Sequence, residues 1–203
     1  MIKIYHVPRT RSIRVIWTCE ELGLDYELIP VDFSVEYRSS PEWRALNPVG
    51  KVPVMIDDDF ALFESGAMVQ YLLDRYGEGR LQPPVATPEH AIYLQWSWFA
   101  EATFARPLGE IVNHRRSLPE EQQSAVAIAE MQGRAQLCVE AVDAAVAEQE
   151  YILGPDFSAA DIMLGYSLML AQSFLPESLP VNAAAYLERL AARPGYVVAT
   201  ADI

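Results

Sequence analysis

Asn47-Pro48-Val49-Gly50-Lys51-Val52-Pro53-Val54, followed by Glu64-Ser65, is the stretch that organises this chain. A proline entering a strand cannot donate to the ladder. A cis Val52-Pro53 bond just before the strand removes the conflict, turning the chain and exposing the backbone of Val52. An exposed edge amide and carbonyl can pair with the backbone of a peptide ligand, as an added strand does. Ser65 falls at the start of the next helix. There the unpaired N–H groups and the positive end of the dipole favour a carboxylate. The same serine also fits a plain N-cap in a tight loop.

Working outward, residues 2–6 read as a strand and residues 12–22 as a helix. Val15, Cys19 and Leu22 recur at helical spacing, and Gly23 sits where a left-handed cap belongs. Residues 26–32 read as a second strand, which predicts a right-handed crossover and a parallel pair. A short helix is expected over 40–46, ending near Asn47-Pro48. Val52–Ile56 and Phe60–Phe63, joined by Asp57-Asp58-Asp59, read as a hairpin. Residues 65–76 return to helical spacing. The order is βαβ, short helix, ββα.

Three prolines between Pro83 and Pro88 stiffen the chain and mark a boundary. Only helical patterns follow, over 87–116, 119–149, 158–172 and 182–192. The expected organisation is a first domain over 1–80, a linker over 81–86 and an all-helical domain over 87–203. Residues 158–172 are apolar nearly all round, as in a helix buried at the centre of a bundle.

The composition is that of a folded globular protein, with 51% hydrophobic and 21% charged residues in 203. The net charge of −13 disfavours nucleic acid and anionic membrane as partners. Residues 1–51 hold seven bases and seven acids, so the remaining chain carries the whole excess. A small anion is therefore best received by the first quarter. Cys19 and Cys138 are far apart and form no Cys-x-x-Cys pair, which argues against a disulfide scaffold, a zinc site and a dithiol motif. His6, His90 and His114 lack metal-ligand spacing, so no metal is expected. No apolar run reaches the length of about 20 residues that spans a bilayer. The first residues enter a strand pattern directly, without the features of a signal peptide. A soluble, cytoplasmic protein is the expectation.

The Asn-Pro-x-Gly-Lys-Val-Pro run followed by Glu-Ser resembles the glutathione-binding signature of the cytosolic glutathione transferases. That family joins a thioredoxin-like βαβ-ββα domain to an all-α domain, the order read above over essentially the whole chain. The resemblance implies that Val52 pairs with the cysteinyl backbone of glutathione and that Pro53 is the cis-proline. It implies that Glu64 and Ser65 take the γ-glutamyl end, and that Lys51 meets the glycyl carboxylate. Lys51 is one of only two lysines in the chain. Pro8-Arg9-Thr10-Arg11-Ser12-Ile13-Arg14-Val15-Ile16-Trp17 and Glu20-Glu21-Leu22-Gly23 are similar to the bacterial and fungal branch often called GTT-like. In this family the loop after the first strand activates the thiol.

A free thiol has a pKa of about 8.5, so a hydrogen-bond donor near the sulfur is needed at neutral pH. Counting back from Gly23, Arg11 occupies the position where cysteine-type bacterial enzymes carry their cysteine. Thr10 is nearest to the serine of serine-type classes. Ser12 is a second candidate donor, or the N-cap of the first helix. Tyr5, Arg11 or a backbone amide complete the field. One of Arg9, Arg11 and Arg14 is expected to help a ligand carboxylate.

Ser158-Ala159-Ala160-Asp161 is a capping box, with Phe157 placed for a hydrophobic staple, and is assigned to folding. The resemblance places the hydrophobic-substrate pocket on the first long helix of the second domain, with Trp96, Phe99, Phe104 and Arg106 as candidates. It implies glutathione as co-substrate, a small hydrophobic electrophile or a peroxide as second substrate, and a homodimer. The alternatives are a non-catalytic stress-regulatory protein of the same fold and a glutathione-dependent disulfide reductase.

Overall fold

The computed structural model describes residues 1–201, the Ser117 side chain excepted. Two compact units result: Met1–Leu81 together with the chain from Ala192 onward, and Gln82–Ala191.

The first unit is built on β1 (Ile2–His6), β2 (Tyr26–Pro30), β3 (Val54–Asp57) and β4 (Phe60–Phe63). The sheet order is β2-β1-β3-β4, with β1 and β2 parallel and the other pairs antiparallel. The crossover between the parallel strands is α1 (Ser12–Leu22), buried along most of its length. It stops because Gly23 adopts φ 67° and ψ 37°. The Leu24 N–H then reaches Cys19 O at 3.0 Å and the Gly23 N–H reaches Glu20 O at 3.1 Å, the two bonds of a Schellman cap.

Two short helices follow, α2 (Val35–Arg38) and α3 (Pro41–Leu46). Pattern reading had no separate place for the single turn of α2. Ser40 caps α3 by accepting from the Trp43 N–H at 3.2 Å. Trp43 is wholly buried and lies against Tyr5 and Tyr37, at ring separations of 5.7 and 5.9 Å. That anchor fixes where the chain re-enters the sheet. After the hairpin comes α4 (Ser65–Tyr76). The buried Asp57 carboxylate clasps it to β3, accepting from the Tyr71 and Tyr76 hydroxyls at 2.9 and 2.5 Å. The C-terminal half of α4 is thereby held against the sheet.

In the second unit, α5 (Pro88–Trp98) runs into a π-helical turn, Phe99–Phe104, and then α6 (Ala105–Ser117). A short 3-10 turn, Glu120–Gln122, precedes α7 (Ala125–Ala145). Then come α8 (Ala159–Phe174) and α9 (Val181–Ala191). The caps are local for α5 and α7, from Thr87 and Ser124. For α9 the cap comes from another helix. Asp143 of α7 accepts from the Asn182 and Ala183 N–H groups at 2.9 and 2.8 Å. α8 is buried over its first ten residues, from Ala159 to Leu168, as expected of a central helix.

The second domain was expected to run to residue 203. Instead, α10 (Pro194–Thr200) packs on α1 in the first unit. Arg193 grips Glu21 with two bonds of 2.8 and 2.6 Å, and the Tyr196 ring meets Trp17 edge-on at 5.0 Å. The fit is close: a Cβ on Gly195 would lie 2.9 Å from Trp17 Cδ1 and 3.1 Å from Glu20 Cβ. Gly195→Ala is expected to cost about 1–3 kcal/mol, as overpacking against a rigid ring does. A urea titration reads this directly, and an unmoved midpoint would show that α10 shifts without penalty.

Candidate functional site

The loop between β1 and α1 and the junction of β4 with α4 bring together most of the residues singled out above. Ser12 is the first residue of α1, and the N-cap is Arg11, without a side-chain capping bond. The expected N-cap role of Ser12 is therefore not realised. Its hydroxyl is turned inward instead, wholly buried, 2.7 Å from His6 Nδ1 and 2.8 Å from Thr10 Oγ1. Thr10 is half-buried and donates to the Val7 carbonyl at 2.7 Å. Of the two residues, Ser12 is wholly buried and Thr10 is partly exposed. Tyr5 lies within β1, its ring tilted against that of Trp43.

His6 was read as an isolated histidine, yet it is part of this cluster. The signal was present in the alternation of β1, where Ile2, Ile4 and His6 share the buried side. Burial lowers the His6 pKa from 6.5. The ring is therefore neutral at neutral pH. Its contribution to stability is present above 6.5 and is lost as pH falls through the lowered value. His90 and His114 serve backbone groups, lying 3.1 Å from Pro83 O and 2.9 Å from Ser124 N.

The three arginines separate. Arg9 is exposed at φ 61°, and Arg11 is half-buried at the helix start. Arg14 is wholly buried, and its Nη1 donates to Ser65 Oγ at 3.3 Å. A guanidinium inside the apolar run Ile13–Trp17 was the sequence signal for this. Ser65 opens α4 and is itself 2% exposed. Before it, Glu64 is exposed at φ 75°, ψ 108°, a left-handed conformation that non-glycine residues rarely hold. Such residues concentrate where ligands are held. The head of α4 thus sets a helix N-terminus beside a buried cation and an exposed carboxylate.

The Val52–Pro53 bond is cis. β3 is an interior strand, so Val52 is not at a sheet edge as expected. It lies two residues beyond Val54, where the ladders to Tyr5 and to Phe63 both end. The preceding loop is held by Asn47, which is buried. Its side chain donates to Lys51 O at 3.0 Å and accepts from Val49 N–H at 3.1 Å. Gly50 is required here: φ is 64°, and a Cβ would lie 2.5 Å from Arg38 O. Lys51 stands exposed on this loop.

In the second unit, Trp96 and Phe99 meet edge-on at 5.2 Å, and Phe99 contacts Phe104 at 6.2 Å. Phe104 is wholly buried. Arg106 lines a cavity of about 620 Å³ between α6 and α7, with Thr103, Glu110, Ile128, Met131 and Cys138 also in its walls. The three aromatics are not among its lining residues. The π-turn explains the split, because it adds a residue to the turn and breaks the 3.6-residue register assumed for 87–116.

Burial pushes the Cys138 thiol up to about 11. Cys19 is pushed up to about 12 by burial, with Glu20 and Asp57 adding to it. Among the described residues no group of three or more His, Cys, Asp or Glu side chains could hold a metal ion. None of the described helices is long and apolar enough to cross a membrane.

A family model for the glutathione S-transferase N-terminal domain matches residues 1–74. The glutathione S-transferase hmp2 of Hypomyces subiculosus is 32% identical over 171 residues, 80% of this chain and 78% of that protein. The disulfide-bond oxidoreductase YfcG of Escherichia coli is 29% identical over 169 residues, 80% of this chain and 76% of that protein. The crystal structure of a theta class glutathione S-transferase from Xanthomonas axonopodis pv. citri, with glutathione bound, superposes with a TM-score of 0.84. It is 30% identical, with 100% of this chain and 99% of that chain covered.

Proposed function

The chain belongs to the cytosolic glutathione S-transferase superfamily, and from that premise we propose that it is a transferase sending the thiolate of glutathione onto small hydrophobic electrophiles. The observation that carries this reading is the Arg14–Ser65 contact. It ties the hydroxyl-bearing loop and α1 to the head of α4 across 51 residues of sequence. In this reading the α4 head takes the γ-glutamyl carboxylate at Ser65, and Glu64 takes the γ-glutamyl ammonium. The Val52 backbone, with Pro53 behind it, pairs with the cysteinyl unit. Lys51 and Arg11 meet the glycyl carboxylate. Thr10 donates to the sulfur. The electrophile belongs to the second unit, where Arg106 is its first contact, followed by Trp96 and Phe99. Phe104 is core. The active form is a homodimer, as in the family.

Calorimetry with glutathione and turnover of chlorodinitrobenzene and cumene hydroperoxide test this together. At about 100 times its dissociation constant, glutathione is expected to raise the unfolding free energy by about 2.7 kcal/mol. Binding without turnover of either substrate would favour a regulatory protein. No binding would defeat the reading.

Likeness to a disulfide-bond oxidoreductase supports a second activity. Both cysteine thiols here are buried with raised pKa values. Reduction of a disulfide would therefore run through the thiol of glutathione itself. Turnover of hydroxyethyl disulfide by a variant with both cysteines replaced by alanine separates this from a protein-thiol route.

A further inference from the structure

Behind the Thr10 hydroxyl three polar groups form one chain. His6 Nδ1 lies 2.7 Å from Ser12 Oγ, which lies 2.8 Å from Thr10 Oγ1, which lies 2.7 Å from the Val7 carbonyl. Ser12 Oγ is also 3.3 Å from that same carbonyl. His6 and Ser12 are buried, and Thr10 is half-buried. The chain therefore runs from the interior of the first unit out to the partly exposed Thr10.

Counting protons decides what the chain does. Each hydroxyl carries one, and each can also accept. At rest, Thr10 donates to the Val7 carbonyl, and Ser12 can donate to Thr10 when Nδ1 of His6 carries its proton. When Thr10 turns its proton outward, the carbonyl loses its short partner. Ser12 is the other hydroxyl within reach. It can take that place only if its proton is not committed to His6. His6 must therefore be the donor, with its N–H on Nδ1. In the opposite tautomer, Nδ1 accepts the Ser12 proton, and Thr10 is held at the carbonyl, because a buried acceptor left unpaired is costly. Burial keeps the ring neutral, so it has one N–H to place.

We propose that His6 is a positioning residue for the thiol-activating hydroxyl: by donating from Nδ1 to Ser12 it frees the Ser12 proton for Val7 and the Thr10 proton for the ligand's sulfur. This rests on the reading of Thr10 given above. No covalent bond changes; the Ser12 and Thr10 hydroxyls change acceptors while the His6–Ser12 bond stays.

The test compares His6→Asn, His6→Gln and His6→Leu. The asparagine amide can donate from the position of Nδ1. The glutamine amide extends toward Nε2, and leucine donates from neither. The readout is the pKa of the glutathione thiol bound to the intact protein, followed by ultraviolet absorbance of the thiolate. His6→Leu and His6→Gln are expected to raise it by about one unit, which is a tenfold loss of thiolate below that pKa. The value of kcat should fall about tenfold while KM for glutathione stays within about twofold, since the lost interaction is with the reacting atom. His6→Asn should recover most of both. If His6→Leu does not fold, Ser12→Ala breaks the same chain at its middle, and the same rise is expected.

A His6→Leu or Ser12→Ala protein that folds, binds glutathione and keeps the wild-type thiol pKa would overturn the proposal. So would His6→Asn as impaired as His6→Leu. A wild-type protein that binds no glutathione defeats the reading of function itself. Wild-type binding with a depressed thiol pKa, matched by His6→Leu, defeats only the role of His6.

Discussion

Replacing Thr10 by valine is expected to lower turnover of a small electrophile about tenfold to a hundredfold near neutral pH, with glutathione affinity little changed. The magnitude follows from the bond removed. A hydrogen bond to a charged group contributes about 1.5–3 kcal/mol, and one pKa unit is 1.36 kcal/mol. Losing the donor therefore returns the bound thiol by about one to two units toward the free value of about 8.5. Valine keeps the shape, and Ser12 lies 3.3 Å from the Val7 carbonyl that Thr10 vacates. The loop should hold. Thr10→Ser should keep most of the activity. A pH–rate profile reads the shift, since loss confined to pH below the new thiol pKa is its signature. Ser12→Ala, acting at one remove, should have the smaller effect. If Thr10→Val keeps its turnover while Ser12→Ala loses it, the buried hydroxyl is the donor and the assignment is wrong.

Asp161→Ala should be the most destabilising single change in the second unit. The carboxylate is wholly buried at the start of α8. It accepts from Ile152 N and Ser158 N at 2.8 Å, Ser158 Oγ at 2.7 Å and the Tyr186 hydroxyl at 2.6 Å. One side chain thus joins the loop before α8, the capping box and α9. Alanine leaves four buried donors without their acceptor, and each unsatisfied group costs about 1–3 kcal/mol before relaxation. A net loss of about 3–5 kcal/mol is expected, a fall in Tm of roughly 6–20 °C for a chain of this length. Unchanged Tm would remove Asp161 from the folding role.

The pH dependence has a definite sign. Burial raises the Asp161 pKa above 3.8, and its four hydrogen bonds offset part of that rise. The folded state therefore binds this proton more readily than the unfolded state. The contribution is full below 3.8 and is lost as pH rises through the folded value. Asp161→Asn should flatten that part of the stability curve.

The signature run is where the local structure was most legible in the sequence. The Asn47–Val54 run and Glu64-Ser65 are contiguous, and their geometry is imposed by their own residues. Gly50 is needed for its positive φ, Asn47 bonds to its own loop, and Pro53 follows a cis bond. The Schellman cap at Gly23 and the capping box at Ser158 are equally local, because each bonds within six residues. Helical and strand periodicity did the rest for the order of elements. Where local pattern misled, an irregularity intervened. The π-turn at Phe99–Phe104 shifted the helical register, so Arg106 reached the cavity while Phe99 met Trp96 edge-on and Phe104 at a tilt.

The sequence by itself determined the fold class, the glutathione signature and the loop proposed to supply the donor. Only the tertiary structure decided how that loop is wired. The alternation of β1 buries His6, but Thr10 and Ser12 carry no periodic signal, and the bonds that join the three depend on the path of a non-repetitive turn. Arg14 and Ser65 are 51 residues apart, and nothing local to either says that they meet. The fate of α10 was likewise invisible, because its helix could pair with any apolar face and found α1 through Trp17 and Glu21. Propensity and capping act between neighbours in sequence. A buried charge or hydroxyl is placed by whatever the fold brings to it, and that is settled only when the sheet and helices close.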